Sequence, residues 1–358
     1  MNFRFDLGTL VVRLPQDEWA ARRAAGLPEH HVLSADEFPL RYAHGTLKEI
    51  LELSAAWRRH DPNEKLAALV LSQAQIIAGL YAEADATMAD YQRLTGDPMG
   101  AMRYAAPIPA PVHALPPVVG AWPRGPAFFV SCDAKYWKLF CVPLLRSIAH
   151  LAPGAPVHVH LMSPNVDVAT DLKGLDLKLT ATSEDPAPFL AATSCTLSNY
   201  CSAVRLVRFA EALEQAEGPL CIMDVDALAY RDPLSVFSLD ADIALRARAG
   251  RIEAVHHFSA CLIVARPAAT TYFRCVADIV RSAIHAPWWG LDQYALHNAY
   301  VRTGQPKIRF LGPDWADLDQ EREREGVFWF TAGKAKQRLK TDDTAYARLF
   351  RQYWQSSG

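Results

Sequence analysis

The chain has no long apolar run. Nowhere do 18 or more apolar residues follow one another, so no membrane-spanning helix is expected. It has no excess of either charge: 37 Lys and Arg stand against 39 Asp and Glu, a formal net charge of -2, which leaves no electrostatic footprint for nucleic acid. Its 7 cysteines are odd in number and form no C-x-x-C pair, and several sit inside apolar runs as small buried hydrophobes do. A disulfide framework is therefore not expected, and a reducing, cytoplasmic setting is. The first residues, MNFRFDLGTLVVRLPQDEW, hold no apolar stretch of signal-peptide length, so no secretory leader is expected either.

What is present fits a soluble globular chain of 358 residues, 51% hydrophobic and 21% charged, long enough for a large α/β domain and a smaller module. Residues 1 to about 43 show little periodicity. From Thr46 the pattern is helical, with Leu47, Ile50, Leu51, Leu53 and Trp57 ending at His60-Asp61-Pro62. A second unit runs through Leu66, Leu69, Leu71 and Ile76, then Gly79-Leu80-Tyr81-Ala82-Glu83-Ala84, and on to Met88, Tyr91, Leu94 and Asp97-Pro98. The small-residue turn, the Tyr-x-Glu-Ala helix start and the recurring Asp-Pro stop resemble a tetratricopeptide repeat. A helical cap, on the main domain or on a second copy, competes with a peptide-binding array, because so few repeats do not stand alone. Residues 105–126 carry seven prolines (Pro107, Pro109, Pro111, Pro116, Pro117, Pro123, Pro126) and read as an extended spacer. The expected organisation is a helical module over 1–104, a linker over 105–126 and an α/β domain over 127–358.

The chemistry centres on GPLCIMDVDALAYRDPLSVF, residues 218–237. Leu220-Cys221-Ile222-Met223 reads as a strand buried on both faces, and Asp224 and Asp226 follow directly. On an extended backbone, side chains two positions apart point to the same side, so the two carboxylates are expected to grip one divalent cation, manganese or magnesium, at the mouth of a sheet. Two further D-x-D triplets, Asp240-Ala241-Asp242 and Asp317-Leu318-Asp319, lack such a strand before them.

The motif, followed by Asp232-Pro233-Leu234-Ser235-Val236-Phe237, resembles the retaining nucleotide-sugar transferases of glycosyltransferase family 8. The resemblance implies a GT-A fold and extends in order over residues 127 to about 340. Phe128-Phe129-Val130-Ser131-Cys132 and Asp133-Ala134-Lys135-Tyr136 match the family's first strand and its D-x-x-Y, which implies base binding by Asp133 and Tyr136. Arg205, on a helix near 198–213 with Tyr200 and Arg208, takes the place of an Arg that reaches diphosphate and sugar. An Arg suits phosphate because its planar donors reach two oxygens together. Asp292 and Gln293, in Trp288-Trp289-Gly290-Leu291-Asp292-Gln293-Tyr294-Ala295-Leu296-His297-Asn298, match D-Q-x-x-L-x-N: Asp292 would bind sugar hydroxyls and Gln293 would lie near the reacting carbon. Phe330-Thr331-Ala332-Gly333-Lys334-Ala335-Lys336 resembles H-x-x-G-x-x-K, keeping Gly333 and Lys336 for phosphate. The chain departs from the pattern at Phe330, in place of a metal-binding His, and at Ser259 and Cys261, in place of Asn and Gly.

The resemblance thus implies transfer of a sugar from a nucleoside-diphosphate donor, UDP-linked, to a saccharide, lipid-linked or protein acceptor. Self-association through the amino-terminal helices is a further expectation. Two other functions remain open at this point. A haloacid-dehalogenase-type phosphohydrolase has a similar strand ending in D-x-D, with the first Asp as nucleophile. A non-catalytic transferase-like scaffold is the other. His158 and His160 alternate on one strand and read as structural. The aromatic, basic segment Tyr346, Leu349, Phe350, Tyr353 and Trp354 is expected as the last core helix, with a peripheral place on the inner membrane face as the alternative.

Overall fold

The computed structural model describes residues 47–96, 103–163, 165–247, 258–304, 306–317, 326–331, 336, 339 and 341–355. The expectations placed on residues 1–43, Pro98, His256-His257, Asp319 and Gly333 lie outside them. The chain divides into two compact units, one over residues 1–107 with 248–257, the other over 108–247 with 258–358.

In the first unit three helices follow one another: α1 (Leu47–His60), α2 (Lys65–Ile77) and α3 (Tyr81–Thr95). Asp61-Pro62 separates α1 from α2, as a proline must where the preceding residue leaves helical backbone. Gly96 closes α3 in the left-handed region, at φ +68°. Trp57, Ala67, Ala68, Val70, Ala74, Ala84 and Met88 form the buried side. Among the described residues of this unit, the three helices make one and a half helix pairs, fewer than the repeats a tetratricopeptide array needs for stability.

The second unit holds an eight-stranded mixed sheet in the order β1-β4-β3-β2-β5-β8-β7-β9. Its strands are β1 (Val119–Gly120), β2 (Ala127–Cys132), β3 (Ala155–Leu161), β4 (Leu177–Ser183), β5 (Leu220–Met223), β7 (Ile243–Ala247), β8 (Phe258–Ala265) and β9 (Ile308–Leu311). Strands β4, β3, β2 and β5 are parallel, and β8 runs antiparallel to β5. A small second sheet orders β10 (Ala316–Asp317), β11 (Phe328–Phe330) and β6 (Ala227–Ala229). Every residue of β2, β5 and β8 is buried, as expected for strands covered on both faces. On one face lie α4 (Val142–Leu151) and α9 (Ala345–Gln355), which contribute Leu144, Leu145, Ile148, Tyr346 and Phe350 to the main core. Buried Tyr346, Phe350 and Tyr353 make α9 a core helix, so the membrane-surface alternative is set aside. Among the described residues no helix is long and apolar enough to cross a membrane. The remaining helices used below are α5 (Ala187–Ala192), α6 (Leu197–Gln215), α7 (Thr270–Ala283) and α8 (Leu291–Arg302).

The proline-rich stretch is extended, as its composition requires, but from residue 108 it is docked on this unit and does not act as a free spacer. Val119 and Gly120 pair with Ser183 and Thr182 of β4. The Pro116 carbonyl accepts from Arg208 Nη2 at 2.7 Å. Trp122 lies against His158 and His160, ring centroids 5.3 and 5.6 Å away. Those two histidines are fully buried: His158 meets the hydroxyls of Thr180 and Thr182, each at 2.9 Å, and His160 meets Thr182 at 2.9 Å. Burial, with the neighbouring His160 adding to it, pulls the His158 imidazole down to about 3, so it packs as a neutral ring. The histidine pair is structural, as the sequence suggests.

Replacing Trp122 by Ala in the full chain should remove the cover over the histidines. Because the indole is half-buried, the expected loss is about 2–3 kcal/mol, below the ~3–5 of a fully buried Trp. Thermal or urea unfolding measures it, and an unchanged midpoint would show that the strap contributes nothing to the fold.

Candidate functional site

The site forms where the strand order reverses. From β2 the chain goes outward to β3 and β4, then returns through α6 to β5 on the other side of β2. The register sets Val130 opposite Met223, so the residues following each strand lie side by side at the carboxyl ends, where open α/β sheets bind ligands.

After β2, Asp133 caps a short helical turn: its Oδ1 accepts from the Tyr136 N–H at 2.7 Å. Tyr136, half-buried, follows on that turn and leads into a π-helical turn over Trp137–Cys141. After β5 the backbone does not stay extended. The Ala227 N–H returns to the Asp224 carbonyl at 3.2 Å, making a turn that β6 leaves. The two carboxylates therefore have different surroundings. Asp224 keeps 33% of its side-chain exposure, while Asp226 keeps 4%. Asp226, expected from the sequence at the mouth of a sheet, is a buried group.

Three separate parts of the chain hold Asp226. Its carbonyl accepts from the Tyr346 hydroxyl at 2.8 Å and from the Thr331 N–H at 3.2 Å. Its Oδ2 pairs with Lys336 Nζ. Burial, reinforced by the nearby Asp224 charge, lifts the Asp226 carboxyl to about 6 even though Lys336 pulls it down. For Lys336 burial acts the other way, but attraction to Asp226 and Asp224 outweighs it and holds the ammonium above its usual range. The same ammonium lies 5.7 Å from the centre of the Tyr136 ring, a cation–π distance.

Helix α6 supplies Arg205. Thr196 starts the helix, its hydroxyl accepting from the Asn199 N–H at 3.2 Å. The inward face carries Tyr200, Val204, Leu206, Val207 and Phe209, with Arg205 and Arg208 buried among them. Neither arginine belongs to a solvated basic face. Arg205 pairs through Nη1 with Asp224 Oδ1 and through Nη2 with Asp292 Oδ2 at 3.4 Å, and its Nε donates to the Ser202 carbonyl at 3.0 Å. Burial opposes its charge, but Asp224 and Asp292 more than compensate, so the guanidinium stays protonated. Asp292 enters from the first turn of α8, whose preceding Gly290 sits at φ +85°, a backbone conformation that disfavours any side chain. Burial pushes the Asp292 carboxyl up; Arg205 and the Gln293 N–H, which donates to it at 2.9 Å, work against that.

Asp133, Tyr136, Arg205, Asp224, Asp226, Asp292 and Lys336 are thus brought into one linked constellation. Gln293 lies one residue along α8, half-buried. Tyr346 has no sequence signal for its role beyond its place in the aromatic run. Phe330 is packed in the main core and pairs across strands with Ala227, so its position supplies no metal-binding side chain. Among the described residues no cluster of three His, Cys, Asp or Glu side chains could hold a metal. Two carboxylates do fit a divalent ion as partial ligands: Asp226 Oδ1 is buried and accepts no hydrogen bond.

No protein-family profile and no curated protein matches this chain. Among solved structures it is similar to the galactosyltransferase LgtC in complex with donor and acceptor sugar analogues, at 12% identity and TM-score 0.44, over 64% of this chain and 95% of that one. It is similar to the apo glycosyltransferase GlyE of Streptococcus pneumoniae TIGR4, at 13% identity and TM-score 0.46, over 66% of this chain and 62% of that one. The bifunctional glycosyltransferase WbbM covers 93% of this chain with 74% of its own length, at 11% identity and TM-score 0.48.

Tyr346→Phe should loosen the Asp226 turn and leave the α9 ring in place. One hydrogen bond is lost while the Thr331 N–H still serves the carbonyl, so unfolding should cost about 0.5–1.5 kcal/mol less. Phe330→His, which puts a polar ring into the core, should lower stability by more than Tyr346→Phe does. Thermal melts of the two variants check the order.

Proposed function

We propose that this chain is a glycosyltransferase of the GT-A type that moves a sugar from a nucleoside-diphosphate donor, UDP-linked, to an acceptor hydroxyl. The observation that supports this best is the joining of the D-V-D carboxylates with Arg205, Lys336 and Asp292 at the reversal point of the sheet, beside Tyr136. Three carboxylates and two cations in one buried cluster suit a ligand that carries both phosphate oxygens and sugar hydroxyls.

In this reading the Tyr136 ring stacks on the base, and the Asp133 turn fixes that ring's position. Lys336 and Arg205 face the diphosphate. As the bond from the anomeric carbon to the phosphate oxygen breaks, they meet the negative charge that collects on the departing nucleotide. Arg205 also bridges to Asp292, which holds sugar hydroxyls by accepting hydrogen bonds from them, with Gln293 beside it at the reacting carbon. The acceptor oxygen bonds to that carbon with retained configuration and passes its proton to the departing phosphate oxygen. A divalent ion, when bound, would be held by Asp224 and Asp226 and would add positive charge against the same leaving group. The first-unit helices serve as a self-association element, and the acceptor is a saccharide, lipid-linked or protein hydroxyl.

The phosphohydrolase alternative needs Asp224 free as a nucleophile, but its Oδ1 is engaged by a buried guanidinium. Incubation with a panel of nucleotide sugars, with and without manganese, should release free sugar or transfer it. Arg205→Lys keeps the charge but cannot span Asp224 and Asp292, so donor turnover should fall by about 100-fold, the scale of losing one preorganised donor. Hydrolysis of phosphate esters with a trapped aspartyl phosphate on Asp224, and no turnover of any nucleotide sugar, would sink the proposal.

A further inference from the structure

The ligand-free site has its own counter-ions, and they are held in unequal ways. Arg205 is fastened by Asp224, by Asp292 and by the Ser202 carbonyl, and it is buried within a helix. Among the described residues Lys336 has one carboxylate partner, Asp226 Oδ2, and its side chain is 29% exposed. A lysine is a point charge on a flexible stem, which can change partners with little rearrangement. Its ammonium lies between Asp226 and the Tyr136 ring, so it stands between the carboxylate and the place proposed for the base and its diphosphate.

Resting on the reading just given, we propose that Lys336 is a tethered counter-ion that shields Asp226 from divalent cations until a diphosphate draws its ammonium away. Without nucleotide, a cation approaching Asp226 must displace an ammonium already seated there, and it gains only the unpartnered Oδ1 and the exposed edge of Asp224. A diphosphate next to Tyr136 offers several anionic oxygens against one carboxylate oxygen, so the ammonium moves to it. Asp226 is then left negative, buried and unpaired, a state that costs free energy and favours cation uptake. Nucleotide and cation each strengthen the binding of the other by the same factor. Part of that coupling belongs to Lys336 and is removable. Removing the ammonium has effects of opposite sign, with tighter cation binding by the free protein and weaker nucleotide binding.

Binding alone tests this, without turnover. Manganese binding, followed by the electron paramagnetic resonance of the free ion, and UDP binding, followed by calorimetry, are measured on wild type, Lys336→Met, Lys336→Arg and Asp226→Asn. Lys336→Met should bind manganese about tenfold tighter than wild type without nucleotide, and UDP about tenfold weaker, a change of ~1.4 kcal/mol each way. Lys336→Arg, which keeps the charge, should resemble wild type toward manganese, and Asp226→Asn should lose the ion. Lys336→Gln replaces the Met variant if a melt shows the latter unfolded at assay temperature. Equal manganese affinity in wild type and Lys336→Met, with Asp226→Asn still losing the ion, would overturn the shielding role and leave the donor reading standing. Absence of UDP binding to wild type, with manganese indifferent to Asp226→Asn, would overturn the donor reading and the proposal with it.

Discussion

A carboxylate buried at the turn after β5 is the constraint on which the rest of the site depends. An ionised group out of water is expensive unless it is paired and its residue is held in place. Lys336 pairs with the Asp226 carboxylate at Oδ2, while Tyr346 of α9 and the Thr331 N–H at the end of β11 hold the Asp226 backbone carbonyl. The small β10-β11-β6 sheet is what brings these parts together, because β6 begins one residue after Asp226 and pairs with the strand that ends at Phe330. That pairing also explains why residue 330 is apolar. A strand buried against the core has no room there for a metal-binding ring.

A second buried ion network lies just past the end of β4. Glu184, at the end of β4, receives the Arg208 guanidinium, the Tyr200 hydroxyl at 3.1 Å and the His160 ring at 3.5 Å. Arg208 also holds the Pro116 carbonyl, so the same cation serves the core helix and the proline-rich strap. Arg205 and Arg208 are three residues apart on α6, nearly one turn. One serves the carboxyl ends of the central strands and the other secures the edge. Helix α6 is thus a rigid bar with a cation at each task. An error in its register would disturb the ligand site and the strap together.

Much of this was legible in the chain, for identifiable reasons. The strand Leu220–Met223 is bounded by Gly218-Pro219 and by acids, and both signals are local. The helix near 198–213, the strand over 128–132 and the segment of α8 were reached through the family resemblance. Residues Arg205, Asp292 and Lys336 were placed by resemblance, and the fold does bring them together. Three things were not legible. The backbone at Asp224–Asp226 turns because Ala227 must join a second sheet, which no window around the motif reveals. The docking of the proline-rich strap depends on Arg208 and the buried histidines, distant in sequence. Tyr346 lies 120 residues from the carbonyl it holds.

That last separation bears on how the molecule comes into being. Strand β5 and its turn leave the ribosome long before Lys336 and the helix of Tyr346 exist to meet them. Until then Asp226 has neither its ammonium nor its hydroxyl partner, and the buried place it later occupies is open to water. Contacts this far apart in sequence close late, since the chain between them must first be ordered. The most demanding charge in the fold is therefore settled only once the later segment that carries its partners has been made.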